Sequence, residues 1–542
     1  MQRRTEGCSI EQTTERSKRR ILFVTGGVIS GIGKGILSAS LGSIIQGHGH
    51  RIQMIKIDPY FNKNAGFLHP EEHGEVFVLD DGAETDLDIG TYERFLGRFL
   101  TRTSCLTNGE VYQEILGSER TLNKGQTLQV VPHLIRIIRE RLLEQTKDAD
   151  LLIVEIGGTV GDLESDVFLE TITHMKTDRS LQIGHLHVAY CPEGFNSEIK
   201  TKPAQRSIRE CMRRGVTCDL VALRTHQPIT NDRTLPKIRD SCGMVEDHLF
   251  NVPQFADIGQ VSRWIIKAGM VRSVMSLLEL QTAGPDRIVF PEFYLREYQT
   301  TVRIGLLSKY SINQDSYLSL LQGLKIAAKH NDHNLEIRKV ESVADLHEID
   351  GLVIPGGFGY YEPRWYEVLN HARITQLPTL GICLGLQLMV IEYCRNVLGI
   401  RTATTEESEQ DGKELVIHRI GSGDEIVGDQ TTGSIVLGGY DLQLCSDFFE
   451  QIYGQATIRE RFRHRYGINP SYIESMQADW IFDGLIERTH PFHTLIALKE
   501  HPFYVAVQFH PEWSCSFARV HPMLEQLIKQ AIQTDRDQSS TR

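Results

Sequence analysis

Short apolar runs alternate with longer segments of helical period along the first half of the chain. The runs read "RILFVTGG", "RIQMIKID", "DLLIVEIGG", "LHVAYC" and "DLVALR". A parallel strand needs a crossover connection, which is usually a helix, so this alternation predicts a parallel sheet covered by helices. The pattern therefore predicts an α/β fold.

The alternation breaks after Leu280 and then resumes. "QTAGPDRIVFPEFYLREYQT" carries two prolines, a glycine and several polar residues, and a second series of apolar runs follows. That series reads "VRIGLLS", "NLEIRKV", "DGLVIPGG", "PTLGICLG" and "FYVAVQFHPE". The boundaries predict a first domain at 21–280, a linker at 281–300 and a second domain at 301–535. The polar ends, 1–20 and 536–542, are predicted to be disordered.

Composition and charge exclude several classes of protein. The net charge of −12 leaves no basic surplus to neutralise nucleic-acid phosphates. No apolar run approaches the roughly 18 residues of a membrane span, and the charged N-terminus lacks the apolar core of a secretory signal. The ten cysteines form no C-x-x-C pair, which favours reduced thiols over a disulfide framework or a zinc site. We therefore expect a cytoplasmic protein that binds neither nucleic acid nor a membrane.

The stretch "FVTGGVISGIGKGI" departs from the standard phosphate loop, G-x-x-x-x-G-K-[ST]. Gly33 and Lys34 fit that motif, but Val28 occupies the first glycine position and Gly35 the closing Ser/Thr position. An apolar strand precedes the loop, and "KGILSASLGSIIQGHG", predicted to be a helix apolar on one face, follows it. Anion sites at helix N-termini have this order. The loop alone leaves two interpretations open, a phosphate site or a tight turn whose glycines allow close packing.

Carboxylates follow two of the apolar runs. Five lie after "EVFVL": Asp80, Asp81, Glu84, Asp86 and Asp88. Glu155 ends "LLIVE", and Asp162 and Glu164 come soon after it. Ligands of open α/β sheets bind at the carboxyl ends of the strands, so carboxylates there, opposite Lys34, indicate a magnesium–nucleotide site. A solvated acidic surface is the alternative.

"EIKTKPAQRS" concentrates positive charge, with Pro203 at the start of a predicted helix. In an extended segment, the Lys200-x-Lys202 spacing places both ammonium groups on one side, where they could grip a second triphosphate together with Gln205. A basic surface patch is the alternative.

"PTLGICLGLQLMV" predicts a strand, a tight turn at Cys383 and a helix. Glycines on either side of a nucleophile allow the strained turn of a nucleophile elbow, and the helix N-terminus favours the thiolate form. "VAVQFHPEW" later supplies His510 as a base and Glu512 as the carboxylate that orients it. Gly356 and Gly357, after the strand "LVI", could form an oxyanion hole. A buried structural cysteine is the alternative, but the order of all these elements favours catalysis.

The chain resembles the CTP synthases, which are glutamine amidotransferases. The shared motifs run in order over about 20–530: "FVTGGV", "GKG", "DPY", "HGEVFV", "DGAETDLD", "YERF", "VEIGGTVGD", "KTKP", "PGGFG", "GICLG", "RHRY" and "FHPE". The resemblance implies a P-loop-like parallel-sheet synthetase domain followed by a class I glutamine amidotransferase α/β domain. It also implies a step of pyrimidine biosynthesis: ATP phosphorylates the 4-oxygen of UTP, and ammonia from glutamine displaces the phosphate to give CTP.

The resemblance also assigns roles to residues. It implies Mg²⁺ on Asp88 and Glu155, and glutamine hydrolysis by Cys383, His510 and Glu512. ATP would contact Asp88 and the loop residues Gly31, Ile32, Gly33, Lys34, Gly35 and Ile36. UTP or CTP would contact Ser30, Asp162, Leu163, Glu164, Lys200, Thr201, Lys202, Pro203, Ala204, Gln205 and Lys237. Glutamine would contact Gly357, Leu384, Gly385, Leu386, Gln387, Glu406 and Arg465. GTP activation, a homotetramer and, in some members, filaments are further implications.

Three stretches depart from the family pattern. They are "FNKNAGFLHP", where Asn64 and Phe67 diverge, "KTKPAQRS", with Ala204 and Arg206, and "TGSIVLGG", where Val436 replaces an expected arginine. The departures leave two alternatives open: a paralogue that aminates a modified uridine nucleotide, and a non-catalytic nucleotide-binding regulator or filament subunit. The Val436 position leads us to expect weak or altered activation by GTP.

Overall fold

The computed structural model describes eleven segments of the chain. They are residues 18–117, 127–195, 198–231, 233–255, 257–286, 291–310, 315–359, 362–408, 414–420, 435–487 and 491–540. Most of the predicted N-terminal extension, 1–17, and the last two residues of the predicted tail lie outside them.

The first half of the chain forms a seven-stranded parallel sheet. Its strands and a small separate pair are, in chain order, β1 (Arg19–Gly27), β2 (Ile52–Asp58), β3 (Phe77–Val78), β4 (Glu84–Thr85), β5 (Cys105–Thr107), β6 (Leu151–Ile156), β7 (Leu181–Tyr190), β8 (Leu220–Thr225) and β9 (Leu249–Pro253). The order across the sheet is β5-β2-β6-β1-β7-β8-β9, and all its pairings are parallel. The five predicted strands are confirmed as β1, β2, β6, β7 and β8.

Helices cover both faces of this sheet, as the alternation predicts. They are α1 (Lys34–Gly47), α2 (Pro70–His73), α3 (Leu87–Leu96), α4 (Asn108–Gly117), α5 (Ile135–Gln145), α6 (Asp166–Lys176), α7 (Lys202–Arg213), α8 (Thr234–Cys242), α9 (Ile258–Lys267) and α10 (Met270–Leu277). The prediction that α1 is apolar on one face was too narrow. The helix is buried on almost every side, because α3 and α9 pack against it as well as the sheet, and its small residues, three serines, one alanine and the glycines, allow this close approach.

The acidic stretch after "EVFVL" does not end a strand of the main sheet, so that part of the prediction is wrong. Phe77 and Val78 form β3, which pairs only with β4 in a small antiparallel hairpin. Both residues are buried, so this run is as apolar as a strand of the main sheet. An apolar run by itself does not distinguish the strand of a small hairpin from a strand of the main sheet. Asp88 nevertheless reaches the edge of the main sheet, because it lies in the first turn of α3.

The second half of the chain forms another seven-stranded sheet. Its strands and the smaller pairings are β10 (Thr301–Leu306), β11 (Asn334–Lys339), β12 (Gly351–Ile354), β13 (Thr379–Ile382), β14 (Thr404–Thr405), β15 (Leu415–Arg419), β16 (Val436–Gln443), β17 (Thr457–His464), β18 (Tyr466–Ile468), β19 (Trp480–Ile486), β20 (Phe492–Leu498) and β21 (Tyr504–Val507). The order is β11-β10-β12-β13-β21-β20-β19. The first five strands are parallel and were all predicted, whereas β20 and β19 form an antiparallel edge.

The helices of this half are α11 (Leu318–His330), α12 (Arg364–Ile374), α13 (Leu384–Asn396), α14 (Asp447–Tyr453), α15 (Ile473–Met476) and α16 (Pro522–Ser540). The last of them corrects the predicted disordered tail, since 536–540 belong to α16. After Pro522 the sequence contains neither proline nor glycine, so nothing in it stops the helix. In the described part of the chain, no helix combines the length and the apolar character that a membrane crossing requires.

Three arginines of strand β17 join the two halves. Arg459 pairs with Asp80 at 2.9 Å, Arg461 with Glu93 at 2.9 Å, and Arg463 with Glu84 at 2.8 Å. The central pair is buried, because the side chains of Arg461 and Glu93 are 1% and 5% exposed. These contacts hold β17 against residues 80–93, a segment that ends within α3.

Candidate active site

Cys383 lies at a sharp turn between β13 and α13. Its backbone has φ 53° and ψ −97°, which is strained for any residue other than glycine and is the conformation of a nucleophile elbow. The flanking glycines are required by packing. A Cβ atom at Gly385 would lie 2.4 Å from the carbonyl oxygen of Ile354, and one at Gly381 would lie 2.5 Å from the sulfur of Met389.

His510 and Glu512 meet Cys383 from the loop after β21. The Nδ1 atom of His510 lies 2.8 Å from Oε1 of Glu512, and the ring and the Cys383 sulfur line the same cavity. Trp513 stacks on the ring at a centroid distance of 3.9 Å and fixes its plane. Burial by itself would lower the pKa of His510, but the Glu512 carboxylate and the Cys383 sulfur outweigh it and raise that pKa to about 9. The arrangement favours the protonated form of His510 beside the Cys383 sulfur.

A cavity of about 70 Å³ opens beside the Cys383 sulfur. Its walls come from both halves of the chain: Pro70, Glu75 and Val76 from the first, and Gly356, Gly357, Cys383 and His510 among those from the second. Gly356 must lack a side chain, since a Cβ atom there would lie 2.6 Å from the His510 ring. The cavity therefore places the nucleophile at the boundary between the two halves.

The glycine-rich loop joins β1 to α1 with a phosphate-loop backbone. Val28, at the first glycine position of the standard motif, has φ 84°, which favours glycine, so the conformation persists although the residue has changed. Gly33 caps α1 with φ 89°. The Lys34 ammonium crosses over Gly26 and donates a 2.7 Å hydrogen bond to the carbonyl oxygen of Gly158.

Gly35 replaces the usual Ser/Thr because Asp88 lies directly over it. A Cβ atom at position 35 would lie 2.0 Å from Oδ1 of Asp88. The carboxylate therefore takes the space beside the loop that the hydroxyl occupies in the standard motif. This contact joins the N-terminus of α1 to the first turn of α3.

Four carboxylates surround two lysines at this end of the sheet. Lys56 pairs with Asp58 at 3.3 Å, with Asp86 at 2.9 Å and with Asp88. Glu155 accepts a hydrogen bond from the Tyr92 hydroxyl, and burial together with Asp88 raises its pKa above the usual range. Burial lowers the pKa of Lys34, although Glu155 opposes this shift.

This cluster suits a divalent cation. Its four carboxylates outnumber its two ammonium groups, and the buried Oδ2 atom of Asp58 has no hydrogen-bond partner among the described residues. Carboxylate oxygens are the ligands that Mg²⁺ prefers, and a cation would offset the excess negative charge of the cluster. Asp88 and Glu155, both predicted, lie in it together.

Two family models match the chain. "CTP synthase N-terminus" matches residues 20–280, and "Glutamine amidotransferase class-I" matches residues 312–530. A protein named CTP synthase from Methanospirillum hungatei is 38% identical over 91% of this chain and 95% of its own length. One of the same name from Helicobacter pylori is 35% identical over 95% of this chain and 99% of its own length. The chain belongs to the CTP synthase family.

Five of the seven residues predicted from the CTP synthase pattern to bind glutamine lie beside Cys383. Gly357 lines the cavity, and Leu384, Gly385, Leu386 and Gln387 form the first turn of α13. Oε1 of Gln387 and Nε of Arg465 are buried without a partner among the described residues, so both are available to a polar ligand. Glu406 accepts a hydrogen bond from the backbone N–H of Arg419 at 2.5 Å.

The residues that the CTP synthase resemblance assigns to UTP lie on four separate segments. These are the glycine-rich loop, the turn at 162–164, the start of α7, and α8. Ser30, Leu163, Glu164, Lys202 and Lys237 are exposed, and Asp162 accepts hydrogen bonds from Thr159. The predicted extended Lys-x-Lys is wrong, because Lys202 begins α7 while Lys200 precedes the helix and pairs with Glu198. The proline at position 203 favours the helix start over an extended segment. Thr201, Ala204 and Gln205 are buried at this helix start.

Sequence reasoning missed part of the acidic cluster in this CTP synthase family member. Lys56 and Asp58 were overlooked, although two charged residues two apart in the apolar run "RIQMIKID" must share one face of a buried strand. Of the five carboxylates after "EVFVL", only Asp86 and Asp88 join the cluster. Asp80 and Glu84 pair with arginines of β17, and Asp81 pairs with Arg102.

Proposed function

We propose that this protein converts UTP to CTP, using ATP and ammonia released from glutamine. One chain holds both a Cys383–His510–Glu512 constellation and a lysine–carboxylate cluster on a phosphate-loop backbone, and this combination carries the proposal. The family comparisons favour neither the modified-nucleotide paralogue nor the non-catalytic subunit. A cytoplasmic location and a homotetramer, with or without filaments, stay predictions, and sedimentation velocity tests the homotetramer.

Glutamine hydrolysis begins at the Cys383 sulfur. The thiolate attacks the side-chain amide carbon, and His510 gives its proton to the departing nitrogen, which leaves as ammonia. We assign the oxyanion hole to the N–H groups of Gly356 and Gly357, because both glycines line the cavity beside Cys383. Water, deprotonated by His510, then cleaves the thioester and releases glutamate. Glu512 holds the ring in position throughout.

The UTP reaction takes place at the loop between β1 and α1. Phosphoryl transfer from ATP to the 4-oxygen of UTP turns a poor leaving group into a good one, and ammonia then displaces phosphate. Lys34 counters the negative charge of the transferring group. Asp88 and Glu155, with Asp58 and Asp86 beside them, would hold Mg²⁺, which supplies positive charge for the phosphates of ATP and UTP.

Ammonia has to reach the UTP site without being protonated by bulk water. The cavity at Cys383 reaches Pro70, Glu75 and Val76 of the first half, and Gly74 contacts Leu87 at the start of α3. Leu87 directly precedes Asp88, so the 70–76 segment connects the wall of the cavity to the first turn of α3. We propose that ammonia passes along the 70–76 segment.

Product analysis with the purified protein tests the substrate. Incubation with ATP, Mg²⁺, glutamine and a panel of uridine nucleotides should give CTP from UTP, and plain UTP should react faster than modified nucleotides. Glutamine hydrolysis that leaves UTP unchanged would refute the proposal. A clear preference for a modified nucleotide would establish the paralogue instead.

Replacement of Cys383 separates the two half-reactions. Cys383→Ala should reduce glutamine-dependent CTP formation by at least about a thousandfold, because the nucleophile is lost, while activity with added ammonium salt stays within about twofold. Cys445→Ala, at an exposed cysteine, is the matched control and should change neither activity. Glutamine-dependent activity that survives in Cys383→Ala would remove the cysteine from the mechanism.

Activation by GTP belongs to the part of the family pattern from which this chain departs at Val436. Val436 is 3% exposed and pairs with His464 across the β16–β17 hairpin, so it offers no cationic group to a third nucleotide. We expect weak or altered activation, measured as the ratio of glutamine-dependent rates with and without GTP. Strong activation would show that this position is not decisive.

A further inference from the structure

A cluster of metal-ligating side chains lies behind the glycine-rich loop, on the α7 side of the sheet. His185 and His187 project from the same face of β7, and Cys211 projects from α7 towards them. One ligand atom of each lies within 4.8 Å of the others, and all three side chains are fully buried. The catalytic proposal uses none of them.

The ring nitrogens of the two histidines are oriented as in metal sites. Nδ1 of His185 lies 3.0 Å from the carbonyl oxygen of Thr217, which can only accept, so Nδ1 carries the proton and Nε2 presents a lone pair. Nε2 of His187 lies 2.7 Å from the Ser207 hydroxyl, which leaves Nδ1 to face the cluster. Metal-bound histidines typically donate their outer N–H in this way, which fixes the tautomer and the ring.

The spacing of the sulfur fits a tetrahedral ion. Sγ of Cys211 lies 3.4 Å from Nδ1 of His187. A tetrahedron with metal–nitrogen and metal–sulfur bonds of about 2.0 and 2.3 Å has an N···S edge of about 3.5 Å. His185, His187 and Cys211 thus supply two imidazole nitrogens and one sulfur, which leaves the fourth position of a tetrahedron open.

We propose that His185, His187 and Cys211 form a zinc site. Imidazole and thiolate are ligands that suit Zn²⁺, and binding releases the thiol proton of Cys211. The Thr25 hydroxyl lies 2.8 Å from both inner ring nitrogens and joins them by hydrogen bonds. Zinc displaces that hydroxyl from between the rings.

The site braces the nucleotide loop from behind. Thr25 belongs to β1, three residues before Val28, and a Cβ atom at Gly27 would lie 1.7 Å from the Ser207 hydroxyl. Ser207 and Cys211 lie on α7, which begins at Lys202. A metal here therefore joins β7, the neighbour of β1 in the sheet, to the helix that carries the KTKP segment. The sequence showed no sign of this site, because its ligands come from a strand and a separate helix and lack C-x-x-C spacing.

Metal analysis of untagged protein purified after growth with zinc tests the proposal. We expect about one Zn²⁺ per chain, lost in Cys211→Ser and His187→Gln but retained in Cys445→Ser. Zinc at background level in the wild-type protein, both as purified and after incubation with Zn²⁺, overturns the proposal. So does full zinc content in both ligand variants.

Two measurements on the wild-type protein do not depend on the folding of variants. Loading with Co²⁺ should give the intense thiolate-to-cobalt absorption of a Cys-ligated tetrahedral ion. Zn²⁺ should also slow iodoacetamide labelling of Cys211 at least tenfold, as mapped by mass spectrometry, while Cys445 labels at an unchanged rate. Absence of the cobalt band, or equal labelling with and without Zn²⁺, contradicts the site.

Discussion

At position 35, a single contact explains why the residue differs from the standard phosphate-loop motif. The standard hydroxyl position is glycine here because the Asp88 carboxylate occupies the space that a Cβ atom would need. Val28 shows the opposite case, since the backbone keeps the φ of the missing glycine while the residue has a side chain. Both departures from the motif therefore leave the loop backbone in the phosphate-loop conformation. At Gly35 the Asp88 carboxylate takes the place of the missing hydroxyl, and at Val28 the backbone adopts a strained φ.

Gly35→Ser should damage only the ATP-dependent reaction. The new Cβ atom forces Asp88 away from the lysine cluster, and overpacking of this kind costs about 1–3 kcal/mol, so kcat/KM for UTP should fall about tenfold or more. Glutamine hydrolysis should change by less than about twofold. Gly117→Ser is the control, because a Cβ atom there meets nothing within 4 Å. Equal loss in both variants would contradict the role of the Gly35–Asp88 contact.

Glu512→Gln should change the pH dependence of glutamine hydrolysis. The Glu512 carboxylate helps to raise the pKa of His510 to about 9, so the alkaline limb of kcat/KM should lie near pH 9 and move to lower pH in the variant. The pH–rate profile measures this shift. Glu525→Gln, which removes the carboxylate from the exposed His330 pair, should leave the limb in place. An unshifted limb in Glu512→Gln would exclude His510 as its origin.

The same shift affects stability. Because the pKa of His510 in the folded state lies above its ordinary value of 6.5, the protonated ring stabilises the fold fully below about pH 6.5. This contribution is lost as the pH rises through about 9. The wild-type protein should therefore lose more thermal stability than Glu512→Gln over that interval.

At the scale of elements, strand β17 and helix α3 connect the two reactions. Glu93 lies on α3 together with Asp88, which we propose to bind Mg²⁺, while Arg461 precedes the predicted glutamine residue Arg465 on the same stretch of chain as β17. The Arg461 guanidinium also donates to the carbonyl oxygens of Val78 and Trp513. A buried ion pair therefore links the two elements that carry these residues.

Glu93→Gln should destabilise the protein far more than the loss of an exposed pair. Removing one partner of a buried ion pair leaves an uncompensated charge and costs about 3–5 kcal/mol, whereas exposed pairs contribute about 1 kcal/mol or less. Asp80→Asn, which breaks the exposed Arg459 pair of the same strand, is the matched control. Urea unfolding measures both. Equal shifts of the midpoint would show that Arg461 keeps its charge satisfied without Glu93.

Local sequence predicted the parallel strands, the elbow at Cys383 and the order of loop and helix, because each depends on neighbours along the chain. Local sequence did not predict the contacts between segments that are distant along the chain. Lys56 joins the acidic cluster through the register of β2 with β6, which places it beside Glu155, and the β16–β17 hairpin finds its partners more than 350 residues away. The zinc-site ligands were invisible for the same reason.

At the scale of the whole molecule, the two proposed sites lie at the boundary between the two halves of the chain. The Cys383 cavity has walls from both halves, and three β17 ion pairs hold that boundary together. This arrangement predicts that the nitrogen released at Cys383 is the nitrogen that reaches UTP.

The decisive measurement follows that nitrogen. The purified protein is incubated with UTP, ATP, Mg²⁺ and glutamine labelled with ¹⁵N in the side-chain amide, in the presence of excess unlabelled ammonium, and the product is analysed by mass spectrometry. The account predicts CTP labelled with ¹⁵N at the 4-amino group. Glutamine hydrolysis with UTP left unchanged, or CTP that carries only unlabelled nitrogen, would contradict it.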